Sequence, residues 1–74
     1  LVNVRVKERK PLAELDAVQA EIRRAKDTFG DRGRILVRFS GTEPLARVMV
    51  EGSDRAQVEH FANTIASAIH AELG

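Results

Sequence analysis

The spacing of apolar residues along this chain alternates between the period of a strand and the period of a helix, and this alternation limits the fold more than any other feature. Val2, Val4 and Val6 are separated by polar residues, which predicts a first strand with one buried face. Apolar residues then recur at steps of three and four, which is typical of an amphipathic helix: Leu12, Leu15, Val18, Ile22, Ala25 and Phe29. The predicted helix runs from Pro11, which fits a first helical turn, to Phe29.

Two further strands and a second helix follow. Gly30 stands where a left-handed C-terminal cap is needed. Alternation predicts strands over Arg34–Phe39 and Leu45–Glu51, and the short connection between them predicts an antiparallel hairpin. Asp54 and Gln57 have the spacing of a capping box ahead of a helical stripe of about twenty residues. The sequence therefore predicts an α+β fold, a two-layer β-α-β-β-α sandwich with both helices on one face of a small sheet.

Length, charge and cysteine content narrow the class of protein. A chain of 74 residues forms one domain, residues 1–74, and needs a compact core because a chain of this size buries only roughly 60–65% of its unfolded surface. A net charge of +1 is far from the excess of a nucleic-acid binder, so we expect no nucleic-acid partner. The absence of Cys fits a reducing compartment, for which the cytoplasm is the default. No apolar run approaches the roughly 20 residues of a membrane span, so no membrane association is expected.

The segment between the second and third predicted strands carries the chemistry of the chain. It reads Arg38-Phe39-Ser40-Gly41-Thr42-Glu43-Pro44, and Arg47 follows in the third strand. Gly41 can adopt backbone angles that turn successive N–H groups inward, while Ser40 and Thr42 add hydroxyl donors. Arg38 and Arg47 supply charge and forked hydrogen bonds, so the five residues together suit a phosphate dianion.

Each of these residues also has a plainer interpretation. A Ser-Gly-Thr turn is common in ordinary hairpins, with Ser40 and Thr42 capping the turn through their hydroxyls. Arg38 could be a solvated strand-end arginine, and Arg47 could form a cross-strand ion pair. Glu43 and Pro44 are expected to shape the loop without touching a ligand, since a carboxylate repels phosphate and proline lacks an N–H donor.

The chain offers little for catalysis or metal binding. His60 and His70 lie ten positions apart on the second predicted helix, too far along the axis to share a metal, and are expected to be solvated. Charged runs at residues 7–10 and 23–26 are expected to be solvated faces as well. No nucleophile and base pair and no carboxylate cluster is apparent, so we expect no catalytic residue and no metal site in these residues.

The loop motif from Arg38 to Pro44, with residues 45–52 after it, resembles the phosphate-binding loop and following strand of the α-D-phosphohexomutases, most closely those of the bacterial phosphoglucosamine mutases. The predicted order of elements also matches the C-terminal domain of that family, so the resemblance covers nearly the whole chain. It implies a fold like that of the TATA-box-binding protein, without implying DNA binding. It also implies that Arg38, Ser40, Gly41, Thr42 and Arg47 hold the phosphate of a phosphosugar substrate.

The resemblance further implies a larger parent enzyme that interconverts glucosamine 6-phosphate and glucosamine 1-phosphate through a bisphosphorylated sugar. The parent would use a phosphoserine and Mg²⁺, both held in domains N-terminal to this chain, together with a hexosamine bisphosphate activator. Because the chain opens within a predicted strand and without Met, we expect it to be a fragment of that parent, inactive by itself.

Two alternatives remain open from the sequence. One is the C-terminal domain of a phosphomannomutase or phosphoglucomutase, since other domains of such enzymes read the sugar. The other is a nonenzymatic module that binds small anions or RNA, although three Phe and no Tyr or Trp provide few platforms for base stacking.

Overall fold

The computed structural model describes all 74 residues and contains three strands and two helices. The elements are β1 (Val2–Arg5), α1 (Asp16–Phe29), β2 (Arg34–Phe39), β3 (Leu45–Glu51) and α2 (Arg55–Leu73). Short 3₁₀ turns, Leu12–Glu14 and Gly30–Arg32, flank α1. The predicted α+β class, the order of the elements and the bounds of the second and third strands are therefore confirmed.

The last strand, β3, lies in the middle of the sheet. The strand order is β1-β3-β2, and both pairings are antiparallel. Val48 of β3 has Val2 as its neighbour on one side and Val37 on the other. Ala46, Val48 and Val50 are buried, and the sheet face that they share is covered by the helices. Because β3 pairs on both edges, it fixes the relative position of the other two strands.

The core lies between this sheet face and the two helices. α2 packs against β1 and β3, and α1 packs against β2 and against α2. The innermost side chains of the helical layer are Val18, Ile65 and Ile69, none of which is exposed at all. Phe29 and Phe61 join the two helices edge to face, with ring centroids 5.7 Å apart. The two apolar stripes of the sequence thus meet each other as well as the sheet.

The first helix begins later than the sequence indicates. Pro11 precedes a 3₁₀ turn, and α1 begins only at Asp16, so the predicted start at Pro11 is wrong. The cause is Leu15, whose extended backbone (φ −91°, ψ 92°) separates the two helical segments and puts its side chain into the core. The Gln19 side chain stabilises this kink by donating a 3.0 Å hydrogen bond to the carbonyl of Leu12. The apolar residues of the stripe were identified correctly, but their spacing does not predict the backbone conformation of the residues between them.

The ends of the helices follow the expected capping chemistry with one difference. Asp54 accepts a hydrogen bond from the backbone N–H of Gln57 at 3.2 Å, as predicted for an N-cap. Gly30 has the predicted positive φ of 56°, but its ψ of −133° is not that of a left-handed helical cap. The chain turns directly into the Gly30–Arg32 segment at this point, which requires a conformation that residues with a Cβ rarely adopt. Neither helix combines the length and the apolar character needed to cross a membrane.

Truncation of Ile65 should test the core. Ile65→Ala removes a fully buried side chain of α2 and leaves a cavity, so we expect the free energy of unfolding to fall by about 2–5 kcal/mol. Leu1→Ala is the matched control, because Leu1 is 79% exposed and its truncation should cost no more than about 0.5 kcal/mol. Urea unfolding of the chain measures both. Equal losses in the two variants would contradict the assignment of the core.

Candidate functional site

The loop between β2 and β3 is held at both ends by backbone hydrogen bonds. At its start, Ser40 N–H donates to the carbonyl of Leu45 at 2.9 Å. At its end, Leu45 N–H donates back to the carbonyl of Glu43 at 2.8 Å. Val6, just beyond β1, donates its N–H to the carbonyl of Pro44 at 3.0 Å. The predicted hairpin is confirmed, and its tip rests against the segment that follows β1.

Ser40 organises the inside of the loop. It is the one buried polar residue of the chain. Its Oγ accepts hydrogen bonds from the backbone N–H groups of Thr42 (3.3 Å) and Glu43 (3.2 Å). These two amides therefore face the serine, which differs from the expected arrangement of successive N–H groups turned toward a ligand. A hydroxyl that accepts two bonds still carries one proton to donate.

Neither the backbone conformation nor the packing at position 41 requires a glycine. Its φ is not positive, because Gly30 is the only residue of the chain with a positive φ. A Cβ placed on Gly41 would meet no atom within 4 Å. The structure therefore does not use the left-handed backbone region that glycine permits at this position, and the Ser40 hydroxyl closes the turn instead. The Gly41 amide donates to no group of the chain, and the space where a Cβ would stand is open.

The two arginines lie side by side on the hairpin. Arg38 of β2 is directly opposite Arg47 of β3, and both are exposed. Such opposed residues have Cβ atoms about 5 Å apart, at which distance like charges destabilise a sheet. The neighbour of Arg47 on the other side is Asn3, and neither arginine forms an ion pair. The cross-strand ion pair considered for Arg47 is thus not formed, and two uncompensated guanidinium groups stand next to the loop.

A shallow concavity of about 370 Å³ joins the arginines to the loop. It is lined by six residues: Arg38, Phe39, Ser40, Gly41, Thr42 and Arg47. All five residues predicted to bind phosphate line this concavity, and Phe39 is the sixth lining residue. A larger groove of about 610 Å³ lies between α1 and α2, but most of its wall is alanines and short polar side chains, and the Arg24 guanidinium in it is paired with Glu21. The smaller concavity is the candidate site, because charge and hydrogen-bond donors converge there.

Glu43 and Pro44 contact the rest of the chain through their backbone. The Glu43 carbonyl accepts from Leu45 N–H and also from Nη2 of Arg9, at 2.7 Å. The Glu43 carboxylate forms no ion pair with any arginine. Both residues therefore fix the path of the loop with main-chain groups, and Glu43 leaves its charge in solvent.

Arg9 is the residue near the loop that the sequence did not reveal. It belongs to the charged run at residues 7–10, which was expected to be a solvated face. In the structure its guanidinium bonds to Glu43, and its Cζ lies 6.0 Å from the centroid of the Phe39 ring. No motif or periodicity links positions 34 residues apart. Only the pairing of β1 with β3, which carries the segment after β1 to the hairpin tip, would have indicated the contact.

No other cluster of reactive side chains stands out. No group of three or more His, Cys, Asp or Glu residues lies close enough together to hold a metal ion. His60 and His70 are exposed on α2, and His60 packs edge to face against Phe61. The hairpin tip is accordingly where unpaired charged groups and hydrogen-bond donors lie together.

Comparison with known proteins identifies the family of the chain. A sequence profile described as phosphoglucomutase/phosphomannomutase, C-terminal domain, matches residues 1–68. The chain belongs to this family.

Within the family, the chain is 65% identical over its full length to a phosphoglucosamine mutase of Solibacter usitatus, of which it covers 17%. It is 50% identical over its full length to a phosphoglucosamine mutase of Chlamydia felis, covering 16% of that protein. A phosphoglucosamine mutase of Chlamydia trachomatis serovar D is 47% identical over the same 74 residues. The chain thus spans about one sixth of the length of these relatives and corresponds to the C-terminal domain of the family.

Replacement of the buried serine should loosen the loop. Ser40→Ala removes the acceptor of two loop amides, so we expect the free energy of unfolding to fall by about 1 kcal/mol and hydrogen exchange at the Glu43 amide to accelerate. Thr42→Val is the control, because the Thr42 hydroxyl bonds to no group of the chain and valine keeps its shape. Urea unfolding and amide exchange measured by NMR check both. Unchanged exchange in Ser40→Ala would refute the organising role of this hydroxyl.

Proposed function

We propose that this chain is the substrate-phosphate-binding domain of a phosphoglucosamine mutase, which interconverts glucosamine 6-phosphate and glucosamine 1-phosphate through a bisphosphorylated intermediate. One observation carries the proposal: Arg38 and Arg47, without acidic partners, converge with the loop donors around a single concavity. The choice of sugar is supported by relatives that share 65% and 50% identity and bear the name phosphoglucosamine mutase.

The donors at the site match the acceptors of a phosphate dianion. Each guanidinium can present two N–H groups to two phosphate oxygens, and the anion relieves the repulsion between the opposed arginines. The amide of Gly41 has no acceptor in the chain, and the hydroxyl groups of Ser40 and Thr42 each have a proton to donate. Together these groups can satisfy several phosphate oxygens at once.

The site is suited to holding a phosphate with little regard to the sugar ring. An intermediate with two phosphates must present each of its ends in turn, so the residues that grip the idle phosphate should make few contacts with the ring. The lining of the concavity fits this requirement, since Phe39 is its one apolar member. In this role the chain orients the substrate, and the gain is one of proximity and alignment.

Phosphoryl transfer itself is assigned to the remainder of the parent enzyme. The phosphoserine and the Mg²⁺ ion that the family resemblance implies are proposed to lie there, because this chain gathers no three side chains that could hold a metal ion. A hexosamine bisphosphate is the expected activator of the parent. The 74 residues alone are accordingly proposed to bind phosphosugar without converting it. Family membership and a net charge of +1 favour this role over an RNA-binding module.

Titration of the chain with inorganic phosphate tests the site. We expect the Gly41 and Thr42 amides and the Arg38 side chain to shift in NMR spectra, with a Kd on the order of millimolar because one clamp makes few contacts. Arg38→Ala should raise the Kd at least about tenfold, as expected for loss of a charge-assisted hydrogen bond. Arg34→Ala is the control, since Arg34 is an exposed arginine of the same strand that forms no ion pair and lies outside the concavity. A silent loop, or equal effects of the two variants, would overturn the proposal.

Gly41 offers a test that separates binding from folding. Gly41→Ala should leave stability unchanged or raise it by about 0.4–1 kcal/mol, because its φ is not positive and its surroundings are open. The added methyl group should nevertheless crowd the phosphate at the free amide and weaken its binding. Gly30→Ala is the converse control, with a loss of about 1–2 kcal/mol at φ 56° and unchanged phosphate affinity. Normal phosphate binding by Gly41→Ala would argue against close approach of the anion to this amide.

A further inference from the structure

Arg9 makes the only side-chain hydrogen bond that links distant parts of this chain. Its Nη2 donates to the carbonyl of Glu43 at 2.7 Å across 34 positions, whereas every other side-chain hydrogen bond spans seven positions or fewer. Arg9 forms no ion pair, so its charge is not neutralised by a carboxylate. The backbone next to it is anchored as well, because Val6 N–H bonds to Pro44 and Lys7 N–H bonds to Leu73. The segment after β1 therefore approaches the hairpin tip in a fixed position.

Arg9 is connected to the inside of the loop through the backbone of Glu43, whose carbonyl and amide groups both form hydrogen bonds. The Glu43 carbonyl that Arg9 binds also accepts from Leu45 N–H at 2.8 Å, which holds the exit of the loop. The Glu43 amide donates to Ser40 Oγ at 3.2 Å, which holds its interior. Rotation of the Glu43 residue would disturb both bonds. The guanidinium also lies over the Phe39 ring, which directly precedes Ser40.

We propose that Arg9 is a positioning residue for phosphate binding, holding Glu43 so that the Ser40 hydroxyl and the Gly41 amide keep the orientation that the anion requires. This inference rests on the proposed function of the loop. Arg9 is absent from the lining of the concavity, so it acts through Glu43 and Phe39 and does not itself contact the phosphate. A planar guanidinium can bond to a carbonyl and cover an aromatic face at the same time, which lysine does less well.

The experiment compares three variants of the 74-residue chain. Arg9→Ala removes the contact, Arg9→Lys keeps the charge and one donor, and Lys10→Ala removes a neighbouring charge that pairs only with Glu8. Each is titrated with inorganic phosphate and followed by NMR at the Gly41 amide, and hydrogen exchange at the Glu43 amide and the urea midpoint are recorded. We expect Arg9→Ala to raise the Kd about fivefold and to accelerate exchange at Glu43, with a urea midpoint equal to that of Lys10→Ala. Arg9→Lys should recover part of the affinity, and Lys10→Ala should bind as the unmodified chain does.

The possible failures are distinguishable. If the loop amides of the unmodified chain do not respond to phosphate, the proposed function falls and the role of Arg9 falls with it. If the unmodified chain binds phosphate and Arg9→Ala binds it within about twofold, only the role of Arg9 is overturned. Equal losses of affinity in Arg9→Ala and Lys10→Ala would also overturn it, because a general effect of charge would then account for both.

Discussion

The pairing of β3 on both of its edges is the constraint on which the rest of this structure depends. β3 is last among the strands in sequence but central in the sheet, so it brings the start of the chain next to the hairpin. Its buried residues Ala46, Val48 and Val50 set the face on which the helices pack. Its opposite face carries Arg47 beside Arg38, and its first residue closes the loop by bonding to Ser40. One face of β3 therefore contributes to the core, and the opposite face contributes to the candidate site.

The site combines rigidity with unused hydrogen-bond donors. The backbone bonds at both ends of the loop, together with the Ser40 hydroxyl, fix its path without any ligand. The groups left over are the Gly41 amide, the hydroxyl protons of Ser40 and Thr42, and the two exposed guanidinium groups, all on residues that line the concavity. A loop that is ordered in advance loses little conformational entropy on binding, so more of each contact appears as affinity. A serine that caps its own turn and a serine that binds an anion are thus compatible uses of one residue.

Local patterns in the sequence predicted most of this fold, and contacts between distant residues account for what they did not predict. The strands Arg34–Phe39 and Leu45–Glu51 were predicted with their observed bounds, because alternation and a short connection are local signals. The predicted start of α1 was wrong because Leu15 interrupts the helix to reach the core. The spacing of apolar residues does not indicate such a kink. Gly41 lines the concavity, but the special backbone angles expected of it do not include a positive φ. Arg9 was missed because its contact follows from the order of strands in the sheet, to which no motif in the sequence points.

The opposed arginines have a consequence for folding as well as for recognition. Arg38 and Arg47 repel each other only when the hairpin has formed, so their repulsion raises the free energy of the folded state and not that of the unfolded chain. An anion that binds between them removes that cost and has no matching site on the unfolded chain. If phosphate is that anion, as we propose, thermodynamic linkage makes it a stabiliser of the fold, by about 1.4 kcal/mol when its concentration is ten times the Kd. Under the proposed function, a domain whose site carries its own unfavourable charge pair is thereby most stable under the conditions in which it has substrate to hold.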